Sequence, residues 1–174
     1  MCAAAIAPSA SKAMVTAACS CRDWPAAISA GLLAASPSAR LQPLGGDPPV
    51  FVDVGHNPQA ARALAAWLDA QPPAHTHAVY GALADKDVAG VIAALGARIG
   101  HWHLAGLDGA SPRGLAADAL AEILRQTLPQ ANADRHADVA GALAAARAMA
   151  RPGERILAFG SFFVAAAVIA EHDQ

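Results

Sequence analysis

Val50-Phe51-Val52-Asp53-Val54-Gly55-His56-Asn57-Pro58 is the stretch whose reading decides the fold. Its β-branched and aromatic start reads as a strand, Val50–Val54, that gives way to a turn at Gly55. After Pro58 the apolar residues Ala61, Leu64, Ala65 and Leu68 recur at helical spacing. Asn is a preferred N-cap and Pro a preferred first helical residue, and the residue before a proline is kept out of the α region. Asn57-Pro58 therefore opens a helix that runs to Ala70. The unpaired N–H groups and partial positive charge of a helix N-terminus suit a phosphate or carboxylate. Asp53, His56 and Asn57 are delivered to that point. An ordinary strand-to-helix turn, with Asp53 and Asn57 as caps alone, would show the same spacing; only His56 has no part in capping.

The same alternation continues along the chain. Strands are predicted at Thr76–Tyr80, His101–Leu104 and Arg155–Phe159, with a weaker one at Asp134–Ala137. Between them, Val88, Val91, Ile92, Leu95 and Ile99 mark one helix, and another spans about Leu115 to Leu128. Asp138 caps a helix through Met149, which Pro152-Gly153 follows, and Ser161 opens the last one. Short strands alternating with helices predict an α/β class: a Rossmann-like, mostly parallel sheet flanked by helices on both faces. Such sheets bind ligands outside the carboxyl ends of their strands. The informative loops are then Asp53–Asn57, Gly81–Asp87, Ala105–Gly114 and Gly160-Ser161. Residues 1–25 are expected to be a disordered or non-native tail. Residues 26–49 read as a lead-in, with a helix over Ala26–Ala35 and a loop at Gly45-Gly46-Asp47-Pro48-Pro49, and residues 50–174 as the α/β domain.

A formal net charge of −2 over 174 residues gives no sign of a nucleic-acid or membrane partner. The apolar run Phe162–Ala170 is too short for a membrane-spanning helix. Cys2, Cys19 and Cys21 crowd one end in odd number and are not a disulfide framework. Lys12 is the only basic residue before Arg22 and Pro8 interrupts the early apolar stretch, so no secretory leader is read and a cytoplasmic setting is expected. The sequence has no G-x-x-x-x-G-K-[S/T], no G-x-G-x-x-G and no G-x-S-x-G. His75/His77 and His101/His103 are each two apart, on one strand face. No third ligand is evident beside them, so they read as sheet-end histidines and no metal site is expected.

Asp53-Val-Gly-His-Asn-Pro58 resembles the Asp-x-Ala-His-Asn-Pro signature of the folylpolyglutamate synthase/dihydrofolate synthase family, within the Mur-ligase superfamily of ATP-dependent amide-bond ligases. Tyr80-Gly-Ala-Leu-Ala-Asp-Lys-Asp87 looks like its Gly-x-x-x-Asp-Lys-Asp segment. His101-Trp-His-Leu104 with Arg113-Gly114, and Phe159-Gly-Ser-Phe162, are similar to later motifs in the same order, and Gly31-Leu32 through Gln42 to the lead-in. The resemblance covers about residues 26–171. It implies the family's C-terminal domain, which binds the amino acid and closes over ATP. The domains supplying the P-loop, most Mg2+ ligands and a carbamylated lysine would lie N-terminal to it. The expectation is a truncated or separately encoded domain, inactive alone, of a ligase that adds glutamate to dihydropteroate or folate.

The resemblance further implies ATP and Mg2+ as cofactors of the complete enzyme, neither held by this chain alone. Implied partners are ATP, glutamate, folate or dihydropteroate, and a separately encoded N-terminal ATPase domain. By position, Asp53 looks like the carboxylate at the ribose or adenine end of ATP. Arg40 resembles the arginine that reaches the nucleotide, although Ala39 stands where the family has Gly. His56 matches the catalytic histidine near the γ-phosphate, and Asn57 belongs to the same nucleotide-binding turn. Ser161 would hold the incoming glutamate or simply cap its helix. Arg113 would meet a substrate carboxylate, and Asp85-Lys86-Asp87 would be contact residues or only a solvated turn plus a helix cap. The alternatives are a stand-alone binding module of this fold without ligase activity, or another small-molecule enzyme on the same sheet.

Overall fold

The structure, a computed structural model, describes residues 40–172. The tail expected over residues 1–25 and the helix expected over Ala26–Ala35 lie outside the described residues. Six strands form one sheet in the order β1-β2-β6-β3-β4-β5. They are β1 (Gln42–Gly45), β2 (Val50–Val52), β3 (Thr76–Tyr80), β4 (His101–Ala105), β5 (Ala133–His136) and β6 (Arg155–Phe159). Among the described residues five helices are interleaved: α1 (Pro58–Ala70), α2 (Val88–Leu95), α3 (Ala117–Thr127), α4 (Val139–Met149) and α5 (Phe162–His172). β1 pairs antiparallel with β2, and every other pairing is parallel. The predicted α/β class and mostly parallel sheet are what the structure has.

The order of the strands explains the two layers. From β2 the chain steps over the future place of β6 to β3, then on to β4 and β5, always in one direction. Right-handed crossovers in one direction put α1, α2 and α3 on one face. The chain then returns to insert β6 between β2 and β3, and α4 and α5 cover the opposite face. Tyr80, Trp102, Leu104 and Phe159 pack under the first layer with Leu64, Ile92 and Leu120. Val52, Val79, Ile156 and Ala158 pack under the second with Leu143 and Val164. The alternation along each strand assigns these sides, since neighbours in a strand face opposite ways.

The structure departs from the sequence reading at four places. The expected loop at 45–49 is the turn of a hairpin, because Gln42-Pro-Leu-Gly45 forms the short edge strand β1. Gly45 and Gly46 have φ of 83° and 91°, a left-handed turn that glycine adopts without penalty. A four-residue strand holding a proline offers no alternation to detect, and Pro is tolerated on an edge. Strand β2 ends at Val52 rather than Val54, although the Asp53 N–H still donates to the Ala158 carbonyl at 2.9 Å. The helix expected to reach Ile99 stops at Leu95 and tightens into a 3-10 turn over Gly96–Arg98, with Ile99 still buried. The weak strand is present one residue earlier than expected, as an exposed edge carrying Asp134 and Arg135. Among the described residues no helix is long and apolar enough to cross a membrane.

Candidate functional site

Strands β2 and β6 lie side by side, yet α1 leaves β2 toward one face and α5 leaves β6 toward the other. A crevice must open between their carboxyl ends, the place where doubly wound sheets bind ligands. A cleft of about 570 Å³ lies there, lined by Arg40, Leu41, Asp53, His56, Asn57 and Phe162 among others.

Asp53 is 9% exposed, and its carboxylate is a staple. Oδ2 accepts from the Leu41 N–H at 2.9 Å and Oδ1 from the Gly55 N–H at 2.5 Å. Leu41 sits at φ 44°, a left-handed conformation uncommon outside glycine, and the Asp53 bond helps hold it there. Arg40, the preceding residue, is thereby placed on the cleft rim. The Nδ1 of His56 lies 3.1 Å from the Val54 carbonyl. A carbonyl only accepts, so Nδ1 carries a hydrogen, leaving Nε2 as the second ring position for a ligand. Asn57 is the N-cap of α1, its Oδ1 accepting from the Ala60 N–H at 2.9 Å. The local sequence thus brings Arg40, Asp53, His56 and Asn57 together in the cleft lining and gives Asp53 and Asn57 structural duties as well.

Ser161 and Arg113 stand apart from this lining. Ser161 is 3% exposed, and its Oγ accepts from the Val164 N–H at 3.2 Å, the bond of an N-cap on α5. It shares the carboxyl end of β6 with the cleft, but its neighbour Phe162, 67% exposed, is the residue that lines it. Arg113 follows β4, with β6 and β3 between that strand and β2. Its backbone carbonyl accepts from Ala84 at 2.8 Å, and its guanidinium lies 3.5 Å from Asp85. In the same turn Lys86 pairs with Asp85 at 3.0 Å, and Asp87 caps α2 by accepting from the Gly90 N–H at 2.9 Å. The Lys86 ammonium holds the Asp85 carboxyl below the usual carboxylate range. The Asp-Lys-Asp segment is a second polar rim built from the β3 and β4 loops.

At the other end of the sheet the structure supplies what the sequence reading found missing. Asp134, on β5, joins His101 and His103 as a third donor, their ligand atoms all within 4.8 Å of one another. His103 is fully buried, and burial, reinforced by His101, His77 and His136 nearby, pushes its imidazole down to about 4. His77 is also lowered by burial, against the opposing bond to Glu154.

Residues 39–162 match the family model described as Mur ligase, glutamate ligase domain. The chain belongs to this family. The domain is 38% identical, over 144 residues, to the dihydrofolate synthase/folylpolyglutamate synthase of Escherichia coli (strain K12). That match takes in 82% of the chain and 32% of the relative. In structure it resembles E. coli FolC in complex with DHPP and ADP, with a TM-score of 0.74 and 36% identity over 85% of this chain and 34% of that one. A bifunctional folylpolyglutamate synthase/dihydrofolate synthase with Mn, AMPPNP and L-glutamate bound gives a TM-score of 0.68 at 36% identity, covering 80% of this chain and 32% of its own. The glutamate-ligase domain therefore spans about a third of the length of these relatives. Sequence reasoning missed Leu41, Gln59, Ala63 and Phe162 as cleft residues. Gln59 and Ala63 were within reach, being four apart on one helix face; Leu41 and Phe162 enter only through the neighbouring of β1, β2 and β6.

Proposed function

We propose that this chain is the glutamate-handling and nucleotide-closing part of an ATP-dependent ligase that joins glutamate to dihydropteroate or folate. The observation that carries the reading is the cleft at the β2/β6 switch point. It gathers Arg40, Asp53, His56 and Asn57 at a helix N-terminus, in a domain whose relatives bind ADP, AMPPNP and L-glutamate.

The reaction has two steps. A substrate carboxylate oxygen attacks the γ-phosphorus, the bond to the β-phosphate oxygen breaks, and ADP leaves. The glutamate amine then attacks the acyl carbon, giving an amide, inorganic phosphate and a proton. In this reading Arg40 and the Nε2 of His56 offset negative charge on the transferring phosphoryl group, which is the main demand of phosphoryl transfer. Asp53 serves by holding Arg40 in place and by facing the ribose end of the nucleotide. Ser161 and Arg113 are assigned to the substrate carboxylates, Ser161 through the N-terminus of α5.

The triphosphate and its Mg2+ need more than this cleft offers. Among the described residues Asp53 is the one carboxylate in its lining, and both oxygens already accept backbone N–H groups. That is no octahedral Mg2+ shell, and the sequence has no phosphate-cradling G-x-x-x-x-G-K-[S/T] loop. An N-terminal ATPase domain, on the same or a separate chain, completes the enzyme, in the cytoplasm. The exposed Phe162 and Phe163 beside the cleft suit contact with it.

Radiolabelled glutamate with dihydropteroate and ATP tests this directly. The 174-residue chain alone should form no amide, and addition of a family ATPase domain should start turnover. His56→Ala should then lower the rate at least about tenfold, and Asp87→Ala much less. Glutamate ligation coupled to ATP consumption by the chain alone would overturn the reading.

A further inference from the structure

The face of the sheet under α4 carries imidazoles where the opposite face carries Tyr80, Trp102 and Phe159. Parallel pairing places His77 beside His101, His103 beside Asp134, and Ala105 beside His136. The group runs along β4 and β5, from His101 at the start of β4 to His136 at the end of β5, away from the β2/β6 cleft. None of it is used by the ligase reading.

His103 is the centre of the group. It is wholly buried, its Nε2 lies 3.3 Å from Nδ1 of His77, and its Nδ1 has no hydrogen-bond partner among the described residues. The Nε2 of His136 is also buried without one. A buried polar atom with no partner costs free energy, and an apolar side chain at position 103 would avoid that cost. His101 and Asp134 stand on the solvent side of His103 with 2.9 Å between Nε2 and Oδ2. The Asp134 side chain is 53% exposed, so an ion can enter from solvent there.

We propose that His101, His103 and Asp134 bind a divalent transition-metal ion of the zinc type. Two imidazoles and one carboxylate are a borderline donor set, suited to Zn2+, Co2+ or Ni2+ and poorly suited to Mg2+ or Ca2+. Donors about 2.1 Å from a shared tetrahedral ion lie about 3.4 Å apart, so a triangle within 4.8 Å closes by side-chain shifts of about an ångström or less each. The open solvent side leaves room for a water as the fourth ligand. The ion would tie the exposed edge strand β5 to β4.

The test uses the full chain with Cys2, Cys19 and Cys21 replaced by Ser, so that thiolates contribute nothing, after removal of metal with a chelator. Zn2+ is titrated by calorimetry and Co2+ by visible absorption. The expected result is saturable binding of one ion per chain, with Co2+ ligand-field bands of a nitrogen/oxygen site and a Tm that rises with Zn2+. Asp134→Ala, at the surface, and His101→Ala, partly buried, should each weaken binding at least about tenfold and abolish the Tm rise, whereas His172→Ala keeps both. Absence of saturable binding, or binding unchanged by Asp134→Ala and His101→Ala, would overturn the proposal.

Discussion

Asp53→Asn preserves the shape of the carboxylate and removes one of its two acceptors. In the native domain each oxygen serves a different backbone N–H, that of Leu41 and that of Gly55. The amide that replaces it has one acceptor oxygen and one donor nitrogen, and the donor must face an N–H. One charge-assisted bond is therefore lost and the other becomes neutral. Hydrogen bonds to charged groups contribute about 1.5–3 kcal/mol and neutral ones about 1 kcal/mol, and a partly buried N–H left unpaired adds to the loss. The expected destabilisation is about 3 kcal/mol, or a Tm lower by roughly 8 °C in a domain of this size. Urea unfolding followed by circular dichroism measures it, with an unchanged m-value showing that the native state stays compact. Amide exchange gives a local readout, because Leu41 at φ 44° loses its tether and its N–H should exchange faster than in the parent. If the variant lies within about 0.5 kcal/mol of the parent and the Leu41 amide is as protected as before, the staple does not hold the lead-in to the turn.

Two further outcomes follow from buried groups. His103 is held at about 4, below an ordinary imidazole near 6.5, so as pH falls the unfolded chain takes up the proton first. Stability should be full above pH 6.5 and fall by roughly 3 kcal/mol down to about pH 4, with His77 adding in the same direction. Unfolding free energies measured across this window in metal-free buffer check it, and His103→Gln should flatten the slope; an unchanged slope would refute the assignment. The Trp102 Nε1 is buried without a partner among the described residues, so Trp102→Phe removes an unpaired donor while opening a small cavity, and should stay within about 1 kcal/mol of the parent. Leu104→Ala on the same face removes apolar atoms alone and should cost about 3 kcal/mol, measured by the same unfolding curves.

The helix starts were legible because their chemistry is local. Asn57-Pro58, Asp87 and Asp138 each cap the helix expected of them, with side-chain oxygens on Ala60, Gly90 and Gly141. The cleft was legible in part for the same reason, since Asp53, His56 and Asn57 are neighbours in the chain. What sequence could not show is decided by the insertion of β6 between β2 and β3. That pairing sets Phe162 against the cleft and leaves Arg113, in the loop after β4, outside its lining. Asp53 read as a cap or a nucleotide contact, whereas its first partner is Leu41, twelve residues back across a hairpin that carried no alternation. The histidine group was half visible: the i, i+2 spacing placed His101 and His103 on one face, but Asp134 comes from a neighbouring strand whose register no local pattern states.

The cleft's electrostatics constrain what it can do. Among the described residues its positive elements are Arg40 and the N-terminal N–H groups of α1, and its single carboxylate, Asp53, is turned onto backbone donors. A site so composed attracts an anion and orients it, yet leaves a triphosphate's metal largely uncoordinated. Helix N-termini act over about one turn, so α1 reaches only the part of an anionic ligand laid against Asn57. The remaining charge must be met from the open side of the crevice, where Phe162 stands two-thirds exposed on α5. An apolar ring at the mouth of a polar cleft is poorly placed for water and well placed for a covering surface. On the proposed reading, the switch-point geometry makes half of a site, and the exposed Phe162 marks the side on which the proposed ATPase domain would sit.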